Sequence, residues 1–246
     1  MGFLKLTPVW GKHRYKYILD KVLLKVLGSN YAKVKGYYVA GGAVRSAFAG
    51  EKIKDLDIYF LSTSDWEKRK EFANFKNMKF LFGTEFAETY ETEGVPVQFI
   101  KRFYGEPERV MSEFDFTISM AAYLPEREEF CLGEDFLHHL CERRLVFNEN
   151  TRFPVSSLWR VKKFLKRGYK IGARDIIVLA LAVHNLKIET FRDLKEQLDG
   201  IDTWLLKDIT DKMIEDKGEA EYDLVEFIAY IDEKIADLWG RVEEED

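Results

Sequence analysis

Cysteine is scarce: the 246 residues contain two, Cys131 and Cys141. They form no Cys-x-x-Cys pair, which excludes a disulfide framework, a four-cysteine zinc site and a dithiol redox motif, and both are expected to be buried thiols. Prolines number five, too few for a Pro-rich linker, and with 46% hydrophobic and 33% charged residues the composition is that of a globular chain rather than a disordered one. Histidines number four. His13 and His184 stand alone, and the adjacent His138 and His139 diverge by about 100° on a helix, so neither arrangement makes a metal site. No apolar run approaches the roughly 20 residues that cross a bilayer, and the start MGFLKLTPVWGKHRYK lacks the apolar stretch of a secretory signal. A cytoplasmic protein without a membrane segment is expected.

Charge is present in both signs but unevenly placed. Residues 1–150 carry 22 basic and 22 acidic groups, residues 151–172 carry seven basic groups and no acid, and residues 173–246 carry 9 basic groups against 21 acidic ones. A concentrated positive segment suits a polyanionic partner, because clustered Lys and Arg are the usual phosphate binders. Arg160, Lys163 and Arg167 recur at i, i+3 and i+7, which puts three cations on one face of a helix. The same spacing also describes an ordinary solvated face.

Two textures divide the chain. In residues 12–28 the apolar positions Tyr17, Ile18, Val22, Leu23 and Val26 repeat at helical spacing and end at Gly28. YYVAGG (37–42), DLDIYFLS (55–62), VPVQFIKR (95–102) and FDFTISMAAYL (114–124) read as strands, with helices over 65–75 and 107–114 between them. From 134 onward nearly every segment has helical period: DFLHHLCERR, SSLWRVKKFLKRGY, ARDIIVLALAVHNL, FRDLKEQLDG, WLLKDITDKMIED and EYDLVEFIAYIDEKIADLWGRV. The expected organisation is an α+β head over 1–133 with a small mixed sheet, then an all-helical domain over 134–246. That domain has a basic helix at 155–169, acidic helices over 173–241, and a frayed acidic tail at 242–246. Ser156-Ser157 is expected to cap the basic helix, and Trp159, Trp204 and Trp239 are expected to pack in cores.

The chemistry is concentrated in VAGGAVRSAFAGEKIKDLDIYF (39–60). Gly41 and Gly42 stand where a strand turns into a helix, so backbone N–H groups and the positive end of the helix dipole can approach an anion closely. Asp55 and Asp57 alternate on one face of the next strand while Leu56 points into the core. Two carboxylates side by side repel each other unless a divalent cation neutralises them, and Mg²⁺ is the ion this pattern fits.

With Gly41, Gly42, Val44, Arg45, Asp55 and Asp57 in this order, the chain resembles the head domain of class II tRNA nucleotidyltransferases and bacterial poly(A) polymerases, members of the DNA polymerase beta superfamily. The resemblance continues through Asp115, Phe116, Thr117 and Ile118, and through Arg160, Lys163 and Phe164, so it covers residues 36 to about 172. It implies a palm-like nucleotidyltransferase head in which Asp55 and Asp57 hold two Mg²⁺ ions. Gly41, Gly42 and Arg45 would meet the triphosphate, and Asp115 would serve as a third catalytic residue near the nucleotide sugar. Arg160, Lys163 and Arg167 would contact nucleotide or acceptor phosphates. Departures from the family are equally specific. Ser46 replaces an Asp, Glu113-Phe114 replaces an Arg-Arg pair, and Gln98 stands where a third carboxylate often lies. Phe153, Pro154 and Ser157 occupy the positions of the base-reading Glu-Asp-x-x-Arg motif.

The expected function is template-independent transfer of NMP from an NTP, ATP foremost, to an acceptor hydroxyl, with pyrophosphate as the leaving group. An RNA 3′ end is the first acceptor. A protein or small-molecule hydroxyl, modified in the manner of a toxin or resistance enzyme, is the second, and a non-catalytic nucleotide- or RNA-binding module is the third.

Overall fold

The protein is described here by a computed structural model that covers residues 2–6, 14–198, 215 and 223–235. His13, Trp204, Trp239, the tail at 242–246 and, apart from Glu215, the helix expected over 204–216 lie outside these residues. The chain divides into two compact units, Met1–Arg152 with Lys163–Val178, and Phe153–Lys162 with Leu179–Asp246. The expected boundary at 133/134 falls inside the first of them.

Eight strands of the first unit form one sheet: β1 (Phe3–Leu6), β2 (Tyr37–Ala40), β3 (Leu56–Phe60), β4 (Lys79–Gly83), β5 (Ala87–Thr92), β6 (Val95–Tyr104), β7 (Ala121–Leu124) and β8 (Glu129–Gly133). Their order is β1-β8-β7-β2-β3-β6-β5-β4. The β3–β6 pair is parallel and the other pairs are antiparallel, so the sheet is mixed as expected but larger than expected. Strands β1, β4, β5 and β8 are short and carry no strong apolar alternation, which is why their pattern is weak in the sequence. The core is densest around β2, which is flanked on both sides and has Tyr38, Val39 and Ala40 fully buried.

Helix α1 (Arg14–Leu27) ends at Gly28, whose φ of +87° suits glycine and whose N–H closes on the Leu24 carbonyl at 3.1 Å. Its buried stripe is Leu19, Leu23, Val26 and Leu27, while Tyr17, one of the apolar positions at helical spacing, is 68% exposed. The helix expected over 65–75 is also different. α3 (Thr63–Glu67) gives way to 3₁₀ turns at Lys68–Glu71 and Phe75–Asn77. Phe72 interrupts it in an extended conformation that lets its ring meet Tyr37 at 5.0 Å and Phe99 at 6.1 Å, so tertiary packing overrides local helical period. Residues 114–124, expected as one strand, are a loop, a 3₁₀ turn at Thr117–Ser119 and then β7. α4 (Pro107–Met111) precedes them, and α5 (Phe136–Cys141) follows β8.

Further along, α6 (Pro154–Lys166) and α7 (Ala173–His184) are followed by α8 (Phe191–Leu198) and α9 (Leu224–Ile235), as the helical texture predicted. Two short strands were not legible: β9 (Arg144–Leu145) and β10 (Lys170–Ile171) pair in parallel within the first unit. In the second unit Phe191 and Leu194 are buried against Ile188, Leu198 and Phe227. Ser156 and Ser157 lie inside the first turn of α6 rather than capping it. Their hydroxyls donate to the carbonyls of Gln197 at 2.6 Å and Phe153 at 3.0 Å. Trp159 is 38% exposed, under Lys162 at 5.3 Å, and so is not a core residue. Cys131 is buried, which pushes its thiol up to about 12, but Cys141 is exposed, contrary to expectation. Among the described residues no helix is long and apolar enough to cross a membrane.

Candidate functional site

The register of β2 against β3 builds the site. The strands are antiparallel with Ala40 opposite Asp57, so the chain leaving β2 through Gly41 runs alongside the segment entering β3 through Asp55. Gly41 has φ +72° and ψ −124°, a conformation that side chains of L-residues rarely adopt. Its N–H donates to the Ala121 carbonyl at 2.9 Å and its carbonyl accepts from the Arg45 N–H at 3.0 Å, opening helix α2 (Gly42–Ala49). Since the Gly41 donor is spent on the sheet, the backbone donors left for an anion begin at Gly42. A Cβ on Gly42 would stand 3.8 Å from Asp55 Oδ1, which measures how closely the turn and the carboxylate approach.

Asp55, Asp57 and Tyr59 are half-buried on one face of this segment, while Leu56, Ile58 and Phe60 are fully buried on the other. Gln98 on β6 is the register partner of Asp57, so an amide stands in the sheet beside the carboxylate pair. Among the described residues no group of three acidic, histidine or cysteine side chains is arranged to hold a metal.

Asp115 is brought into the same unit but buried, at 4% exposure. Its Oδ1 accepts from the Phe116 N–H at 2.9 Å, and its carbonyl accepts from the Asn148 N–H at 2.8 Å. Asn148 also donates its side-chain amide to the carbonyls of Ser112 and Phe114, both at 2.7 Å, and so clamps the loop on which Phe114 stands. Glu113 pairs with Arg152 at 2.7 Å. Phe114 packs against Tyr59 with ring centroids 5.7 Å apart and lies 3.7 Å from where a Gly41 Cβ would be. Tyr59 and Asn148 were not singled out from sequence, and Phe114 was noted only in the Glu113-Phe114 replacement of an Arg-Arg pair. Tyr59 was visible as the next residue after Asp57 on the same strand face, and Phe114 as the residue preceding Asp115.

Arg45 is 5% exposed, with its guanidinium 5.0 Å from the centre of the Phe164 ring and 3.4 Å from the Ser46 hydroxyl. Phe164 in turn meets Phe116 and Tyr169, and burial raises the Tyr169 phenol above its ordinary range while the nearby Arg45 cation pulls it down. Arg160 and Lys163 lie on α6, but the helix stops at Lys166. Arg167 belongs to the turn that closes at Gly168, φ +79°, so the expected face of three cations holds two. His139 is buried, with Nδ1 2.8 Å from the Thr117 hydroxyl, and His138 is exposed, 3.5 Å from Glu142.

Residues 13–143 match the Gabija anti-defense 2 family protein profile. A relative from Bacillus phage SPbetaL7, the protein "Gabija anti-defense 2", is 32% identical over 228 residues, covering 92% of this chain. The chain belongs to the Gabija anti-defense 2 family. It spans 54% of that relative's length. Among solved structures, the Thermotoga maritima CCA-adding enzyme complexed with tRNA is similar over 83% of this chain and 54% of that one, with a TM-score of 0.54 and 19% identity. A CCA-adding enzyme in complex with ATP is similar over 80% of this chain and 51% of that one, with a TM-score of 0.55 and 20% identity. The chain thus has the fold of CCA-adding nucleotidyltransferases, as the glycine turn and the paired aspartates led one to expect.

Proposed function

We propose that the chain is a Mg²⁺-dependent nucleotidyltransferase that counters a Gabija defence by moving NMP from an NTP, with ATP the expected donor, to an acceptor hydroxyl in the cytoplasm. The observation that carries this reading is the register of Ala40 with Asp57, which sets the Gly41-Gly42 turn beside the two carboxylates. The donor set fits Mg²⁺: two hard oxygen ligands on one half-exposed face suit an ion that keeps several waters and completes its shell with substrate phosphates. A divalent ion bound there supplies Lewis acidity toward the phosphate oxygens and the attacking hydroxyl.

The chain's own residues account for the remainder of the reading. Asp55 and Asp57 hold the ion and thereby orient the triphosphate, while the glycine turn offers Gly42 and the following backbone N–H groups to phosphate oxygens. Buried Arg45 adds fixed positive charge beneath α2 instead of reaching into solvent. Asp115 and Asn148 set the loop that carries Phe114, which covers the sugar and base side of the site. The acceptor oxygen attacks the α-phosphorus as its hydroxyl proton passes to solvent, a new P–O bond forms, and the bond to pyrophosphate breaks.

An RNA 3′ end is the first acceptor, supported by the basic composition of residues 151–172, which include Arg160, Lys163 and Arg167 and no acid. Membership of an anti-defense family favours a second reading, in which the acceptor is a hydroxyl on a protein of the defence. The test is incubation with Mg²⁺ and each α-labelled NTP in the presence of small RNA and the purified defence proteins, beside an Asp55→Ala/Asp57→Ala control. Label on RNA, lost in the control, is the expected result; label on protein moves the second reading to first place. Mg²⁺-dependent NTP binding without transfer leaves a binding module, and no binding removes the site assignment.

A further inference from the structure

The paired strands β9 and β10 place Arg144 directly beside Lys170, with both side chains exposed on a strip two strands wide. Like charges at partnered positions of a sheet repel, so the pairing costs stability that an anion would return. Among the described residues neither cation has an ion pair. The adjoining turns add two more arginines. Arg143 is held in a left-handed conformation, φ +50°, by donating Nη1–H to the Arg167 carbonyl at 2.7 Å and accepting from the Lys170 N–H at 2.7 Å. That conformation is unfavourable for arginine and is maintained here by the two turns together. Arg144 and Lys170 line an open groove with Glu142, Ile171 and Gly172, and Glu142, its one acid, is 3.5 Å from His138.

We infer that this groove binds the phosphodiester backbone of a single-stranded nucleic acid. Arg144 and Lys170, from two sequence-distant turns that also carry Arg143 and Arg167, line the groove beside a single carboxylate, and consecutive backbone phosphates are the ligand that relieves such crowding repeatedly along its length. An acidic protein surface would need hydrogen-bonding acceptors matched to each guanidinium. A flexible polyphosphate chain needs only charge spacing. Binding here does not depend on the carboxylate pair, so it stands or falls separately from the proposed chemistry.

The test is fluorescence anisotropy of the full chain with a labelled 20-nucleotide RNA and the DNA of the same sequence, across a salt series. Arg144→Gln/Lys170→Gln is expected to weaken binding about tenfold at low salt and to flatten the slope of log K against log salt by about 1.4, since each single-strand phosphate contact contributes about 0.7. Arg144→Lys/Lys170→Arg, which keeps the charge, should bind like the parent. A preference between RNA and DNA under these conditions identifies the source of the backbone. An unchanged slope in the double Gln variant, with its fold intact by circular dichroism, overturns the inference. So does binding of polyglutamate that shares the variant's sensitivity while nucleic-acid binding does not.

Discussion

Replacing Gly41 by alanine isolates conformational strain from crowding. At φ +72° and ψ −124° an L-residue is strained by about 1–3 kcal/mol, partly offset by the narrower unfolded ensemble of alanine, for a net loss near 1–2 kcal/mol. The new methyl itself meets nothing closer than Phe114 Cε2 at 3.7 Å, an ordinary contact, so steric conflict contributes little. Nor can the backbone relax cheaply, because the Gly41 N–H is committed to Ala121 and its carbonyl to Arg45. At about 2–4 °C per kcal/mol for a chain of this size, the melting midpoint should fall by about 2–8 °C. Gly42→Ala is the companion: it has no positive φ, and alanine is the better helix former, so stability should hold or rise by as much as about 1 kcal/mol. Its methyl, however, would stand 3.8 Å from Asp55 Oδ1 and should weaken Mg²⁺-dependent NTP binding. Thermal melts and titration with Mg·ATP measure both. Equal midpoints for Gly41→Ala and the parent protein would refute the backbone argument.

Other perturbations follow from the same geometry. Phe164→Ala removes a side chain that is 1% exposed and touches Arg45, Phe116 and Tyr169, and should cost about 3–5 kcal/mol in urea unfolding; a loss below about 1 kcal/mol would contradict this packing. Burial holds the His139 imidazole below its ordinary pKa, so below about pH 6.5 the unfolded chain binds a proton that the folded chain does not. Stability should therefore drop as pH falls through that range, and His139→Gln should show a flatter dependence of midpoint on pH. Phe114→Ala should weaken Mg²⁺-dependent ATP binding several-fold while leaving inorganic tripolyphosphate unaffected, because only ATP has a base and sugar to pack against the ring. Equal weakening of both ligands would make Phe114 a structural residue only.

Local order along the chain was enough to read the glycine turn, the alternation of Asp55 and Asp57 around Leu56, and the helices α1, α6, α7 and α8, because period and turn chemistry are properties of neighbouring residues. The α+β class followed from those, and the nucleotidyltransferase fold from the family resemblance that the turn and the aspartates carry. Other features depended on partners distant in sequence. Phe72 leaves the helical pattern to reach Tyr37 and Phe99, and residues 114–120 give up strand geometry for a loop held by Asn148. Arg45 is turned against Phe164, more than a hundred residues away in sequence. Most of all, the pairing of Arg144 with Lys170 requires two turns that no local pattern connects. Sequence periodicity reports which face of an element avoids water, but which faces then meet is decided by packing across the whole sheet, and that decision exists only in three dimensions.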